Sequence, residues 1–377
     1  MRVVIATSFP EDPDAPAGGV EAVSVCLVRA LSAFNDLEIH VLTTGRARTD
    51  ARTEQWGATV VHRLPWAGGS TLRHAIGPGR QQMQKYLGKI KPDVVHAHDS
   101  YGMMVKGLAV PRVFTVHGFI YADTRLSGGK LARLRSCAWR RFETAAWADQ
   151  PHIISISPYV RERLRGIAAG VIHDIDNPVP EAFFDIKREE RKGTIFSAAV
   201  VTRRKNPLAL VDAIAELVAD GVDCHLRLAG PTPDECYVRK VRERILQRGL
   251  GKHVTLLGSL STRQISRELS QATVFALASL EENSPMGIEE AMAAGLPVVT
   301  SNRCGMPYMV RDGESGFLVN PNDSHDIARR LKSLLEDDKL RRVMRSKAKE
   351  IASDRFHPAK VAIRTRDVYF RAVEDFE

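Results

Sequence analysis

The five cysteines, at positions 26, 137, 224, 236 and 304, contain no Cys-x-x-Cys pair and are odd in number. Neither a disulfide framework nor a cysteine-held zinc site is indicated, and a reducing cytoplasm is the expected setting. Long apolar runs are also missing. No stretch reaches the roughly 18 apolar residues of a spanning helix. The opening Met1-Arg2-Val3-Val4-Ile5-Ala6-Thr7 has too short an apolar run for a signal peptide and is read as a first strand. Internal repeats and low-complexity segments are absent, as is the Gly-x-Gly-x-x-Gly spacing of a dinucleotide site.

What is present points to two packed domains. The chain has 377 residues, too many for one ordinary core, and 44% of them are hydrophobic. The net charge of +9 suits nucleic acid, an anionic membrane or phosphorylated substrates, and composition does not choose among them. Short runs rich in Val, Ile and Leu alternate with helical patterns throughout, the signature of parallel sheets in the α/β class. Seven such runs fall near 2–7, 38–43, 59–64, 93–97, 112–117, 152–156 and 171–176. Six more fall near 194–200, 224–229, 253–257, 274–278, 297–300 and 316–319. The charged stretch Asp185-Ile186-Lys187-Arg188-Glu189-Glu190-Arg191-Lys192 between them predicts a linker near 180–193. Val23, Leu27, Ala30, Leu31 and Phe34 share a helix face; Asn206-Pro207 reads as N-cap and first-turn proline for a helix burying Leu210, Val211, Ile214 and Leu217. A last helix over about 358–374 follows the final strand and is expected to pack back across the linker. Two doubly wound, Rossmann-like domains result, 1–180 with the last helix and 190–357, with ligands expected at the carboxyl ends of the strands.

The densest functional signal is Glu282-Asn283-Ser284-Pro285-Met286-Gly287-Ile288-Glu289-Glu290, two carboxylates separated by seven residues around a loop-to-helix junction. Ile288 to Ala294 reads as a short helix that Gly295 closes. Unpaired amides at its start and its dipole would favour a diphosphate, with Glu290 placed for a ribose diol and Glu282 for sugar hydroxyls. Gly18-Gly19, between the first strand and a helix, lets backbone approach a ligand. The turn after the 194–200 strand carries Arg203, Arg204 and Lys205, cations placed to meet phosphates. His96, His98 and His117 end two strands, with Asp99 as the one extra metal-type ligand nearby. Zinc is not expected there; His117 reads as a substrate partner and His96 as a core histidine.

These residues resemble the retaining GT-B glycosyltransferases of family four, and the resemblance spans nearly the whole chain. It is carried by Gly18-Gly19-Val20-Glu21, Val94-Val95-His96-Ala97-His98, His117-Gly118, Ile154 to Val160, Asn177-Pro178-Val179, Leu228-Ala229-Gly230, Leu257-Gly258-Ser259-Leu260-Ser261 and, above all, the Glu282-to-Pro297 block. The resemblance implies that Glu290 holds the ribose and that Glu282, with the backbone of Asn283, Ser284, Pro285, Met286 and Gly287, holds the donor sugar. It further implies that Lys205 and Gly18-Gly19 hold the diphosphate, that Gly258-Ser259 lies near the base, and that His117 reaches the donor hexose. No metal or other cofactor is implied. Two departures stand out: Val200 replaces an arginine usual five residues before the lysine, so either Arg203 or Arg204 supplies the second cation or the phosphate is held more weakly. A Gly-Gly pair and later Glu appear here as Cys304-Gly305-Met306-Pro307-Tyr308.

The expectation is a cytoplasmic, metal-independent retaining transferase, moving a hexose-type sugar from a nucleotide-diphosphate sugar on the second domain to a glycan or lipid-linked acceptor on the first. Two rivals stand beside it: a nucleotide-sugar epimerase of the same fold, and a non-catalytic glycan- or membrane-binding protein. The segment Arg125 to Arg141 carries six cations, Lys130, Arg133 and Arg135 among them, and no acid, while Leu131, Leu134, Ala138 and Phe142 recur at helical spacing. That pattern suits a basic amphipathic helix at an anionic membrane or one packed on its own domain.

Overall fold

The protein is described by a computed structural model covering residues 1–46, 49–126 and 131–376. It divides into two compact units, Met1–Pro178 with Pro358–Glu377, and Val179–His357.

The first unit is built on β1 (Arg2–Ala6), β2 (Glu38–Gly45), β3 (Arg52–Trp56), β4 (Thr59–Pro65), β5 (Val94–His98), β6 (Arg112–Val116), β7 (His152–Ser155) and β8 (Val171–Asp174). Their order across the sheet is β3-β4-β2-β1-β5-β6-β7-β8, and every pairing is parallel except β3 with β4. The second unit holds β9 (Thr194–Ala198), β10 (His225–Ala229), β11 (Val254–Gly258), β12 (Val274–Leu277), β13 (Val298–Ser301) and β14 (Gly316–Val319), all parallel in the order β11-β10-β9-β12-β13-β14.

Continuous apolar runs in these strands reflect burial on both faces. Alternate residues feed opposite cores: Ile195, Val274 and Val299 point to one, Phe196, Phe275 and Val298 to the other. Val4 and Val95 are likewise divided from Val3 and Val94 in the first unit. In each unit the strand order reverses beside the first strand, at β1 between β2 and β5 and at β9 between β10 and β12. The crevices at those strands' carboxyl ends are where open α/β sheets bind ligands.

All thirteen expected runs are strands. The fourteenth, β3, is a polar edge strand whose residues are mostly exposed, so no apolar run marks it. The expected linker is instead part of the second unit. Phe183 is fully buried, the Glu189 and Arg191 amides donate to the carbonyls of Ser270 and Gln271 at 2.9 and 2.8 Å, and Arg188 donates to the carbonyls of Leu269 and Ala272. A charged stretch need not be free when its cations can reach carbonyls left open at a helix end.

Gly19–Leu31 and Pro207–Ala219 are helices that bury the predicted stripes, Val23, Leu27 and Leu31 in one and Leu210, Val211, Ile214 and Leu217 in the other. Asn206 does not cap with its side chain. It adopts φ +53°, and its amide instead donates to the Pro321 carbonyl at 2.7 Å. The Pro358–Glu374 helix belongs to the first unit, where its buried Tyr369 hydroxyl lies 2.8 Å from Nδ1 of His96. Arg63, almost fully buried on β4, pairs with Glu54 at 2.5 Å and donates to the carbonyls of Phe9 and Pro10 at 3.2 and 2.7 Å, anchoring the start of the loop that leads to Gly18.

Candidate functional site

The loops after β9 and β12 meet at the switch point of the second sheet. Lys205 Nζ lies 2.5 Å, and Arg204 Nη1 3.0 Å, from the same oxygen of Glu282. Arg204 Nη1 also donates to the Glu281 carbonyl at 3.0 Å, and the Leu280 amide donates to the Arg204 carbonyl at 2.8 Å. Glu282 is 7% exposed, so these two cations balance a carboxylate withdrawn from water. Of the two arginines offered as the second cation, Arg204 is the one that joins Lys205 at Glu282. Arg203 stays outside the cluster, exposed, with its guanidinium 5.9 Å from the Tyr237 ring centre.

The helix expected at 288–294 spans Met286–Ala293, two residues earlier at its start. Close packing explains its placement: a Cβ on Gly287 would lie 2.9 Å from the Ala198 carbonyl oxygen at the end of β9. Ser284 donates to Glu289, which is fully buried, at 2.6 Å and pins the loop to the helix. Asn283 is held from the other side, since a Cβ on Gly305 would fall 1.7 Å from its carbonyl oxygen. Gly305 also donates its amide to the Glu282 carbonyl at 2.8 Å. Glu290 keeps an edge open to solvent, yet surrounding protein pushes its carboxyl up to about 8. Gly295, at φ +69°, ends the helix and turns the chain toward β13. Gly258 closes β11 at φ +68° and is followed by exposed Ser259.

In the first unit, Gly18 is extended at φ −161° and Gly19 opens the helix. Glu21 braces this turn, accepting from the Ala17 amide at 2.8 Å and the Ser8 hydroxyl at 3.2 Å. Nothing lies within 4 Å of a Cβ on Gly18. His96 is the expected core histidine, with Tyr369 and Thr115 hydroxyls 2.8 and 2.7 Å from its two ring nitrogens. Burial lowers it to about 3. His98 Nδ1 lies 3.2 Å from Thr7 Oγ1 and 3.2 Å from Nε2 of half-buried His117. Burial also lowers His117, against which Asp99 and a hydrogen bond with Asn177 act.

Two acids, Glu289 and Glu143, escaped the sequence reading, and Asp99, read there only as a metal-type ligand, has another task. Asp99, at φ +45°, accepts from the amides of His117 and Gly118 at 3.0 and 3.2 Å. Glu289 and Glu143 are buried among apolar neighbours, and an acid at an apolar position of a helix stripe was the available signal. The chain also carries two Asp-x-Asp pairs, at 12 and 14 and at 174 and 176; Asp14 faces Arg29 at 3.4 Å and Asp174 faces Arg161 at 2.8 Å.

The basic segment is not one helix. Ile120–Leu126 and Ala132–Trp147 are separate, and Lys130 lies outside the described residues. The second helix buries Ala132, Ser136, Trp139, Glu143, Ala146 and Trp147 rather than the predicted stripe, while Leu131 and Leu134 are 68% and 67% exposed beside exposed Arg133 and Arg135. No helix among the described residues is long and apolar enough to cross a membrane.

Residues 179–351 match the family model "Glycosyl transferases group 1" and residues 17–183 match "Glycosyltransferase Family 4". The uncharacterized glycosyltransferase MJ1178 of Methanocaldococcus jannaschii is 24% identical over 93% of this chain and 94% of its own length. Among solved structures, sucrose-phosphate synthase of Thermosynechococcus elongatus superposes with TM-score 0.84 at 20% identity, covering 99% of both chains. HepE of Anabaena in complex with UDP-glucose superposes with TM-score 0.73 at 17% identity, covering 98% of this chain and 100% of its own. Two adjoining family models and a shared two-sheet architecture lead to one conclusion: the chain belongs to the group 1 glycosyltransferases of the GT-B fold.

Proposed function

We propose that this glycosyltransferase takes a hexose from a nucleotide-diphosphate sugar and transfers it, with retained anomeric configuration and without a metal, to a glycan or lipid-linked acceptor. The observation that carries the reading is the Arg204–Lys205–Glu282 cluster beside the Met286–Ala293 helix, with Glu290 one turn inside it. Cations and a helix start offer a diphosphate what Mg²⁺ offers elsewhere. In the bound state Lys205 and Arg204 serve the diphosphate, Glu290 the ribose diol and Glu282 the sugar hydroxyls. Gly258 and Ser259 lie near the base. The open space at Gly18 admits the diphosphate, and His117 faces the hexose. HepE was solved with UDP-glucose, which supports a donor of this class.

No enzymic nucleophile is required. The departing diphosphate accepts the acceptor's proton on the face it leaves, and the protein contributes alignment and charge stabilisation as negative charge grows on the leaving group.

The second unit is the donor side and the first the acceptor side. On the latter, Leu131 and Leu134 stand exposed among Arg133, Arg135, Arg140 and Arg141 on the outward face of one helix. Apolar residues left about two-thirds exposed beside cations suit an anionic leaflet carrying a lipid-linked acceptor.

A thermal-shift panel of UDP, GDP, ADP and their hexose conjugates tests the donor assignment. One nucleotide at a hundred times its dissociation constant should stabilise the protein by about 2.7 kcal/mol. With that donor, glycoside formation should survive EDTA. No stabilisation by any member defeats the donor reading, activity lost in EDTA and restored by Mn²⁺ defeats the metal-independent one, and an epimerised free nucleotide sugar defeats transfer.

A further inference from the structure

The five residues from His117 to Tyr121 leave the end of β6 and turn into the Ile120–Leu126 helix. Four of their backbone amides are held by two carboxylates from elsewhere in the first unit. Asp99 Oδ1 accepts from His117 and Gly118 at 3.0 and 3.2 Å. Glu143 takes the next pair: Oε1 accepts from Ile120 at 3.0 Å and Oε2 from Tyr121 at 2.8 Å. Further ties secure the same stretch. Ser136, two turns before Glu143 on its helix, donates to the Tyr121 carbonyl at 2.7 Å, and Arg163 lies 4.8 Å over the Phe119 ring.

We propose that Glu143 is a positioning residue for transfer: by gripping the backbone three and four residues beyond His117 with both carboxylate oxygens, it fixes where the His117 imidazole stands. This rests on the reading that His117 faces the donor hexose.

Two observations distinguish this from ordinary helix capping. A serine or threonine beside the helix start would satisfy an orphan amide at the surface. Here the acceptor is a carboxylate 5% exposed, supplied from more than twenty residues downstream. Such a group is expensive to bury without a cation. Burial pushes its carboxyl up to about 8, although the Tyr121 and Ile120 amides act to lower it. A chain that keeps so unfavourable a group gains bidentate geometry, because two fixed oxygens set two successive amides and thereby the turn that follows His117. Preorganised sites are supported in this way by neighbours that never touch substrate.

The test uses the full chain labelled with ¹⁵N-histidine, with the His117 ring signals assigned from the spectrum of His117→Gln. Glu143→Gln keeps the shape but sets an NH₂ group against one amide. It should move the His117 ring signals and leave those of His225 and His253, in the second unit, in place. Turnover of the donor found in the nucleotide panel should fall about tenfold to a hundredfold, the scale of a small misplacement, while KM for that donor holds. Ser136→Ala loosens the same helix pair without touching the four amides and serves as comparator. The proposal is overturned if Glu143→Gln leaves the His117 signals unmoved, or if kcat falls only in step with melting temperature, as in Ser136→Ala. Should Glu143→Gln fail to fold, Glu143→Asp, which withdraws the charge by one methylene, must shift the same signals, and unshifted signals overturn it. The ring signals report on positioning even if no donor is turned over, so failure of the transferase reading is told apart from failure of this one.

Discussion

At the scale of single residues, Glu290 and Gly18 carry the sharpest expectations. Folding raises the Glu290 carboxyl from 4.5 to about 8, so the folded state favours its protonated form. The associated stability is present below about pH 4.5 and is lost as pH rises toward 8. Ribose hydroxyls donate best to the ionised form, so donor affinity should climb between about pH 6 and pH 9. Glu290→Gln should flatten that climb and weaken binding by roughly 1.5–3 kcal/mol, the range for a hydrogen bond to a charged group. Calorimetric titration across this range checks both, and equal affinity in the two proteins removes the ribose role. Glycines divide by what surrounds them. Gly305 has no room for a Cβ, so Gly305→Ala should destabilise the second unit by about 1–3 kcal/mol. Gly18 has open space and extended backbone, so Gly18→Val should leave the melting temperature unchanged while reducing donor affinity. Unaltered donor affinity in Gly18→Val would show that no ligand approaches there.

At the scale of elements, the Ala132–Trp147 helix illustrates how tertiary packing overrides a sequence stripe. Leu131, Leu134, Ala138 and Phe142 have helical spacing, but Trp139, Glu143 and Trp147 form the inward face. A helix packs the face that offers the larger apolar area and the right tie points, and Trp139 and Trp147 together bury more than two leucines. The displaced Leu131 and Leu134 therefore remain outside with the arginines. Sedimentation with anionic vesicles should pull the protein down at low salt and release it at raised salt, each nearby cation contributing about 1 kcal/mol. Changing Lys130, Arg133 and Arg135 together to Ser should abolish sedimentation, as should Leu134→Ser in part. Binding indifferent to salt and to these changes would assign the helix to a soluble acceptor instead.

At the scale of the whole molecule, much of the architecture was legible because parallel strands buried on both faces cannot hide their apolar runs, and thirteen of the fourteen strands among the described residues carry one. The Glu282-to-Glu290 block was legible for a related reason: a turn-rich loop, a short helix and a closing glycine are local signals, and both acids fall on them. Asn206-Pro207 likewise announced a helix start, although the asparagine side chain found a distant carbonyl at Pro321. Sequence alone therefore determined the fold class, the strand order along the chain, the two-unit content and the loop-to-helix junction at 282–290, since each is written in periodicity or in contiguous chemistry. Tertiary structure alone decided which arginine joins Lys205 at Glu282, that the charged 185–192 stretch packs rather than links, which face of the basic helix is buried, and that Asp99 and Glu143 hold the backbone beyond His117. Those outcomes depend on groups brought together from 18 to 84 residues apart, and a contact across such separations leaves no period or spacing in the chain to read.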